Sequence, residues 1–243
     1  MKHSYLPALS FLALCLTSCF EIEDLEQTYQ KQYKPTEFTE IECATHYSDQ
    51  ITFMRIRFNI LNYKKDSKLM AHYTDVEGAD PFQSGNSIDL TSYLTDQSYS
   101  GTQSDIFFEL TNLMPETHYW AGLSYSDPGC EPIHTRVVNF TTEAIERRCD
   151  CYDYSSDYMV VRSSFRYVPS GSDYGCLIGT DANLTLEHCQ ESRKVGSHAI
   201  EGNEEDFRER FEDLQPNATY YYRAYVTYRG RTYYSRVYEK YHY

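Results

Sequence analysis

Cysteine is the residue type whose positions carry the most chemistry in this 243-residue chain, which contains eight of them. Cys149 and Cys151 are separated by a single residue, and thiols at this spacing could bind zinc or form disulfides. Structural zinc sites usually place roughly two to four residues between paired ligands, and no histidine pair lies nearby. We therefore expect disulfide chemistry here rather than a metal centre.

Residue types that commonly catalyse reactions lack the spacing that catalysis requires. No serine lies in a G-x-S-x-G elbow, and no histidines form an H-E-x-x-H pair. Carboxylates are abundant, but no spacing singles out an acid–base pair. We expect no catalytic residue, no metal site and no cofactor.

The first twenty residues predict export and lipid attachment. Lys2 precedes a mostly apolar run over residues 6–16, which is too short for a permanent transmembrane helix. The run ends in Leu16-Thr17-Ser18-Cys19, which matches the lipobox of bacterial lipoproteins, where two small residues precede the cysteine that carries the lipid. We expect residues 1–18 to be a signal peptide and Cys19 to be the lipid attachment site.

The residues that follow Cys19 predict which membrane holds the protein. Phe20 stands where an aspartate would retain a lipoprotein in the inner membrane. The acidic residues Glu21, Glu23 and Asp24 resemble the export signal of some surface lipoproteins. We therefore expect an outer-membrane protein, held by its lipid and facing the cell exterior, with residues 19–35 as the lipidated N-terminus and tether.

The overall charge excludes one class of partner. The formal net charge of the chain is −14 at pH 7, and a surface this acidic repels phosphate backbones. We expect no nucleic acid to bind.

The tyrosines follow a strand pattern. Seven of the 21 residues in 214–234 are tyrosine, and apolar residues alternate along this segment as they do in a half-buried β-strand. Tyr220, Tyr222, Ala224, Val226 and Tyr228 fall on one face, which we expect to line a core. The alternate residues, which include Tyr221 and Tyr225, are expected on a solvated face.

A repeat links the two halves of the chain. Leu113-x-Pro115-x-x-x-Tyr119 and Leu214-x-Pro216-x-x-x-Tyr220 share one pattern and lie 101 residues apart, a distance that suits tandem sandwich domains. The motif resembles the end of strand E and the start of strand F in the fibronectin type III domain. The resemblance implies an all-β fold of two tandem antiparallel β-sandwiches, over residues 36–145 and 146–243.

The resemblance also implies roles for individual residues. Tyr119 and Tyr220 match the tyrosine corner, whose hydroxyl bonds to the upstream backbone. The pole shared by strand A and the F–G turn would bring Cys43 to Cys130. A second pairing, Cys176 with Cys189, follows from the same topology. Cys149 and Cys151 are left over; they could pair with each other through a strained small ring, but sequence alone does not determine their connectivity.

Two surfaces could bind a ligand. The polar stretch between strands C and E, residues 74–103, contains Phe82, Tyr93 and Tyr99, and aromatic rings in polar loops can stack on sugars or contact proteins. The alternative is a loop packed on itself. Tyr221 and Tyr225 form the second candidate surface, and cross-strand stabilisation of the sheet is its alternative.

These patterns predict a lipid-anchored cell-surface protein that acts as a non-enzymatic binding or spacer module. Its partner would be another envelope protein, a host protein or a glycan. The alternative hypothesis is a glycan-binding accessory lipoprotein of a carbohydrate-uptake system.

Overall fold

The computed structural model describes residues 35–44, 51–64, 66–94 and 101–242. Strands dominate this part of the chain, which confirms the predicted all-β class. The predicted signal peptide, Cys19 and the tether up to residue 34 lie outside the described residues, as does Tyr99.

The first sandwich has eight described strands in two antiparallel sheets. The strands are β1 (Glu37–Ala44), β2 (Met54–Tyr63), β3 (Lys68–Thr74), β4 (Asn86–Asp89), β5 (Gly101–Leu110), β6 (His118–Ser126), β7 (Ile133–His134) and β8 (Val138–Thr141). One sheet has the order β1-β2-β5, and the other has β4-β3-β6 with β7 and β8 both paired to β6. A short helix, α1 (Pro81–Ser84), and a 3₁₀ turn (Thr91–Tyr93) lie between β3 and β5.

The second sandwich repeats this arrangement. Its strands are β9 (Glu146–Tyr154), β10 (Tyr158–Arg166), β11 (Asp173–Gly179), β12 (Glu191–Gly196), β13 (Glu205–Glu212), β14 (Ala218–Tyr228), β15 (Arg231–Tyr234) and β16 (Tyr238–His242). The sheets have the orders β9-β10-β13 and β12-β11-β14, with β15 and β16 both paired to β14. Both halves thus have strands A, B and E in one sheet and C′, C, F and G in the other. Two tandem sandwiches of fibronectin type III-like topology are confirmed.

Side chains at alternate positions along the strands fill each core. Ile56, Phe58 and Ile60 of β2 are fully buried, because alternate strand residues point to the same face. In β14 the five residues expected to line the core, from Tyr220 to Tyr228, are all buried. A buried phenol ring removes about 150–250 Å² from water, a gain of about 4–6 kcal/mol before entropy is subtracted. The tyrosines of β14 that face inward are therefore structural.

The turn before strand F closes in the same way in both sandwiches. The backbone N–H of Met114 donates to the Tyr119 hydroxyl at 2.8 Å, and that of Gln215 donates to the Tyr220 hydroxyl at 2.8 Å. Positive φ angles recur at matching positions of the two turns, at Asn112 and Asp213 and again at Glu116 and Asn217. The two copies of the motif therefore share side-chain bonding and backbone shape.

Direct contacts join the two sandwiches. The β14–β15 hairpin turns at Arg229 and Gly230, which both have positive φ, as a two-residue type I′ turn requires. The Arg229 guanidinium donates to the carbonyl and side-chain oxygens of Asn112 at 2.7 and 2.8 Å. The Tyr233 hydroxyl donates to the carbonyl of Pro115 at 3.3 Å. The hairpin of the second sandwich is thus bonded to the strand E–F turn of the first.

Candidate functional site

The outer face of the β9-β10-β13 sheet carries the most exposed concentration of tyrosine and arginine among the described residues. Along β10, Met159, Val161 and Ser163 point into the core, so Tyr158 and Arg162 point outward. Neighbouring strands add outward residues in register with them. We call this surface the tyrosine–arginine face; its members are Arg148, Tyr152, Tyr158, Arg162, Arg208 and Arg210.

Two cation–π contacts organise the face. The guanidinium carbon of Arg208 lies 3.9 Å from the centre of the Tyr152 ring, and that of Arg210 lies 3.7 Å from the centre of the Tyr158 ring. Tyr152 nevertheless remains 52% exposed. Its ring is therefore held by the sheet while much of its surface faces solvent.

Carboxylates balance the charge of these arginines. Arg162 pairs with Asp150 on the adjacent strand, and that hydrogen-bonded carboxylate raises the pKa of the guanidinium. The Tyr158 hydroxyl donates to Asp153 at 2.9 Å, which raises the pKa of the phenol. Both groups keep their ordinary charge at neutral pH, so the face stays cationic at its guanidinium groups and uncharged at its phenols.

This arrangement suits binding. Tyrosine and arginine are enriched at the energetic centres of protein interfaces, where they bury large rigid surfaces and donate several hydrogen bonds. Ion pairs and ring contacts already restrict Tyr152, Tyr158 and Arg162, which lowers the entropy that a partner must overcome.

Sequence reasoning missed this face because it did not assign β9. The segment Glu146–Tyr154 reads ERRCDCYDY, with cysteines at the inward positions where aliphatic residues would have revealed a strand. Its alternation of Arg148, Asp150 and Tyr152 on one side, and Cys149 and Cys151 on the other, was the available signal.

Phe82 is packed on the first sandwich and is not free to stack on a ligand. Its ring lies on that of His134, with centroids 4.1 Å apart and planes 16° apart, and meets His72 edge-on at 5.4 Å. Gly122 makes room for it, because a Cβ there would collide with the ring. Around Phe82 the stretch is thus packed on the protein itself, as the alternative interpretation proposed. Tyr93, in the 3₁₀ turn, remains 41% exposed.

The prediction of a solvated face for Tyr225 is wrong. Tyr225 is only 5% exposed and forms a small second cluster with Leu177 and Leu184, against which Tyr221 also packs. The segment that follows β11 covers this side of the sheet, and Arg223 fastens it by donating to the Leu184 carbonyl at 3.0 Å. A long-range contact, invisible in the local alternation, explains the difference.

The six cysteines among the described residues are all free thiols. The proposed pairing of Cys176 with Cys189 fails because the two face opposite sides of the sheet. Cys176 lies in the main core, whereas Cys189 packs with Leu184 on the other side. Cys149 and Cys151 lie two residues apart on one extended strand with their side chains on the same face, about 6.6 Å apart along its axis, which exceeds the Cβ separation of about 3.5–4.5 Å that a disulfide bridges.

The pairing of Cys43 with Cys130 also fails. Cys43 is the last residue but one of β1 and directs its thiol towards the Asn139 carbonyl, at 3.8 Å. Cys130 instead lies near Pro35 and Thr36, which precede β1. The pole was correctly identified, but Cys43 lies at the other end of the strand.

A groove with a volume of about 560 Å³ lies between β1 and the loop after β7, lined by residues 36–41 and 133–136. No group of three or more His, Cys, Asp or Glu side chains within the described ranges is arranged to hold a metal ion. No helix in the same ranges has the length and apolarity needed to cross a membrane.

Comparisons with known proteins give distant structural likenesses and no sequence match. No family model and no curated protein matches the sequence. Among solved structures, a two-domain fibronectin type III segment of chicken tenascin is 11% identical with a TM-score of 0.32, over 84% of this chain and 97% of that one. Domains FN1–FN3 of chicken CNTN1 are 10% identical with a TM-score of 0.29, over 83% and 65% of the two chains. Red sea bream transglutaminase is 13% identical with a TM-score of 0.33, over 83% of this chain and 31% of the enzyme. Similarity at this level carries no functional argument.

Proposed function

We propose that this chain is a lipid-anchored, non-enzymatic binding module of the bacterial cell surface, which contacts a protein partner through its tyrosine–arginine face. The anchor is Cys19, for which the lipobox is the support. The tether and the first sandwich hold the second sandwich away from the membrane. The partner belongs to the cell envelope or to a host.

One observation carries the binding role: the exposed Tyr152 ring is held against Arg208 on the outer face of a three-stranded sheet. The contacts run between different strands, since Tyr152 lies on β9 and Arg208 on β13. Cross-strand pairs of this kind also stabilise a sheet. Stabilisation of the sheet does not require an exposed ring, yet the exposed fraction of Tyr152 is 52%. An aromatic ring that stays both ordered and exposed favours contact with another protein.

The joint between the sandwiches supports a spacer role within the same proposal. Arg229 and Tyr233 bond to the first sandwich, and Ile51 of the first sandwich packs in the core cluster of the second. A hydrogen-bonded joint with apolar contacts restricts the angle between the two sandwiches. The tyrosine–arginine face would then be presented at a fixed orientation to the tether.

Glycan binding has less support. It relied on free aromatic rings in residues 74–103, but Phe82 is packed against His72 and His134. Tyr93 alone among the described candidates of that stretch is strongly exposed. One exposed ring gives a sugar a single stacking platform.

Crosslinking on intact cells tests the binding role. The full-length chain is compared with a variant carrying Tyr152→Ala and Arg208→Ala, and with a matched control carrying Phe107→Ala and Arg55→Ala. The control pair lies at the corresponding place on the first sandwich, where Arg55 sits 5.9 Å from the Phe107 ring. We expect a discrete crosslinked protein that the first variant loses and the control keeps. Equal crosslinking by all three chains would contradict the proposed face.

Lipid anchoring has its own test. Cells that express the wild-type chain or Cys19→Ser are fed a radiolabelled fatty acid, and the protein is then isolated. We expect label in the wild-type chain alone and release of the variant from the outer-membrane fraction. Label in both chains, or in neither, would contradict the anchor.

A further inference from the structure

Two buried thiols converge inside the second sandwich. Cys149 lies on β9 of one sheet, and Cys176 lies on β11 of the other. Both point into the space between the sheets and belong to the same core cluster. They are 4% and 0% exposed, respectively. The pair therefore spans the core from sheet to sheet.

The side chain of Ser163 brings the two thiols together. Cys149 is the direct cross-strand neighbour of Ser163, and its sulfur lies 3.8 Å from the Ser163 hydroxyl oxygen. Hydrogen bonding by the same hydroxyl acts to lower the pKa of the Cys176 thiol, against the larger effect of burial. Cys176 also lies close enough for its charge to raise the pKa of Cys149. Both thiols thus neighbour the Ser163 side chain within one core cluster.

We propose that Cys149 and Cys176 form an inter-sheet disulfide when the chain folds in an oxidising compartment. Neither thiol has another cysteine so placed. Cys151 lies two residues farther along β9, and Cys189 packs on the other side of the β11 sheet. The bond would join β9 to β11, two strands that belong to different sheets.

The oxidant is a low-molecular-weight or protein disulfide, written R–S–S–R. The thiolate of one cysteine attacks it, which forms a mixed disulfide and releases one thiolate, RS⁻. The thiolate of the second cysteine then attacks the sulfur of the first and releases the second RS⁻. The two protons lost by the cysteines are taken up as two RSH. In total the protein loses two protons and two electrons, and the oxidant gains them.

Burial sets the timing of this reaction. Desolvation raises the pKa of Cys176 to about 12 and raises that of Cys149 further, so the folded protein holds almost no thiolate at either site. Oxidation must therefore precede the final packing of β9 on β11. Once formed inside the core, the bond is shielded from added thiols.

Refolding in a glutathione buffer tests the pairing. The full chain keeps Cys149 and Cys176, while serine replaces Cys15, Cys19, Cys43, Cys130, Cys151 and Cys189. A matched control keeps Cys151 and Cys176 instead. Both are refolded from guanidinium chloride with reduced and oxidised glutathione, blocked with an alkylating reagent and digested with trypsin.

We expect the peptide of residues 149–162 joined to that of residues 167–193, with a yield at least about tenfold above that of the control pair. The linked chain should unfold cooperatively, with a Tm higher by about 5 °C or more than that of the reduced chain. Equal yields from the two chains would overturn the proposal. So would a linked product with a lower Tm, which would indicate that the bond distorts the core.

A second measurement covers the case in which the serine-substituted chain does not fold. Wild-type protein refolded in the same buffer is mapped under non-reducing conditions. Linkage of residues 149–162 to 167–193, assigned by peptide fragmentation to Cys149 and Cys176, supports the proposal, whereas linkage through Cys151 contradicts it. Complete alkylation of Cys149 and Cys176 after unfolding contradicts it.

Discussion

The guanidinium carbon of Arg208 lies 3.9 Å from the centre of the Tyr152 ring, although the two residues belong to strands at opposite edges of one three-stranded sheet. The contact crosses β10, where Arg162 is held by Asp150. The ordered ring is therefore a product of the assembled sheet and not of local sequence. The tyrosine–arginine face exists only in the folded second sandwich.

Removal of the Tyr220 hydroxyl should destabilise the protein. In Tyr220→Phe the backbone N–H of Gln215 loses its 2.8 Å acceptor, a loss that costs about 1–3 kcal/mol of unfolding free energy. Tyr221→Phe is the control, because its ring lies on the other side of the same strand. Denaturant unfolding measures both. Equal stabilities would show that the corner hydrogen bond is not needed.

The Arg229 side chain should restrict the angle between the sandwiches. Arg229→Ala removes both hydrogen bonds to Asn112, so we expect a broader distribution of interdomain angles. Arg236→Ala is the control, because that arginine lies over Tyr238 of its own sandwich. Residual dipolar couplings measured for each sandwich report the effect. An unchanged relative alignment in Arg229→Ala would mean that the remaining contacts suffice.

Phe82 should anchor the segment between β3 and β4. Phe82→Ala empties the space between His72 and His134, with an expected cost of about 2–4 kcal/mol and faster proteolytic cleavage in that segment. Tyr93→Ala, at an exposed ring, should change neither. Unfolding and limited proteolysis distinguish the two roles of Phe82. Wild-type stability in Phe82→Ala would reopen a ligand-binding role for this ring.

His72 should make the stability depend on pH. Burial first, and then the nearby His134, lower the pKa of His72 below its ordinary value, while Asp80 opposes the shift. As the pH falls below about 6.5, the unfolded chain takes up the proton before the folded chain does, and stability is lost. In His72→Gln the decline between pH 7 and pH 5 should be shallower. Parallel curves of unfolding free energy against pH would contradict this role.

Local motifs in the sequence were sufficient to predict the fold class, because alternation and the Leu-x-Pro-x-x-x-Tyr pattern depend on neighbouring residues. Tyr119 and Tyr220 could be assigned from that pattern alone. The burial of Tyr225 could not, because its cover comes from Leu184, far away in the sequence. β9 was not predicted because its inward residues, Cys149 and Cys151, were interpreted as disulfide candidates and not as core residues of a strand.

The tyrosine–arginine face also could not be predicted from the sequence. Exposure separates Tyr152 from the buried tyrosines, and exposure depends on which strands lie at the surface of the finished sandwich. The sequence of β14 is rich in tyrosine, yet most of these rings are buried in the core. The candidate face instead uses a few tyrosines that arginines from another strand hold in place.

Position-specific photocrosslinking tests the central claim most directly. A photoreactive phenylalanine analogue replaces Tyr152 in one full-length chain and Phe107, on the equivalent face of the first sandwich, in another; intact cells are then illuminated. The account predicts a discrete protein adduct from position 152 that is absent from position 107. Adducts of equal intensity from both positions, or an adduct from position 107 alone, would contradict it.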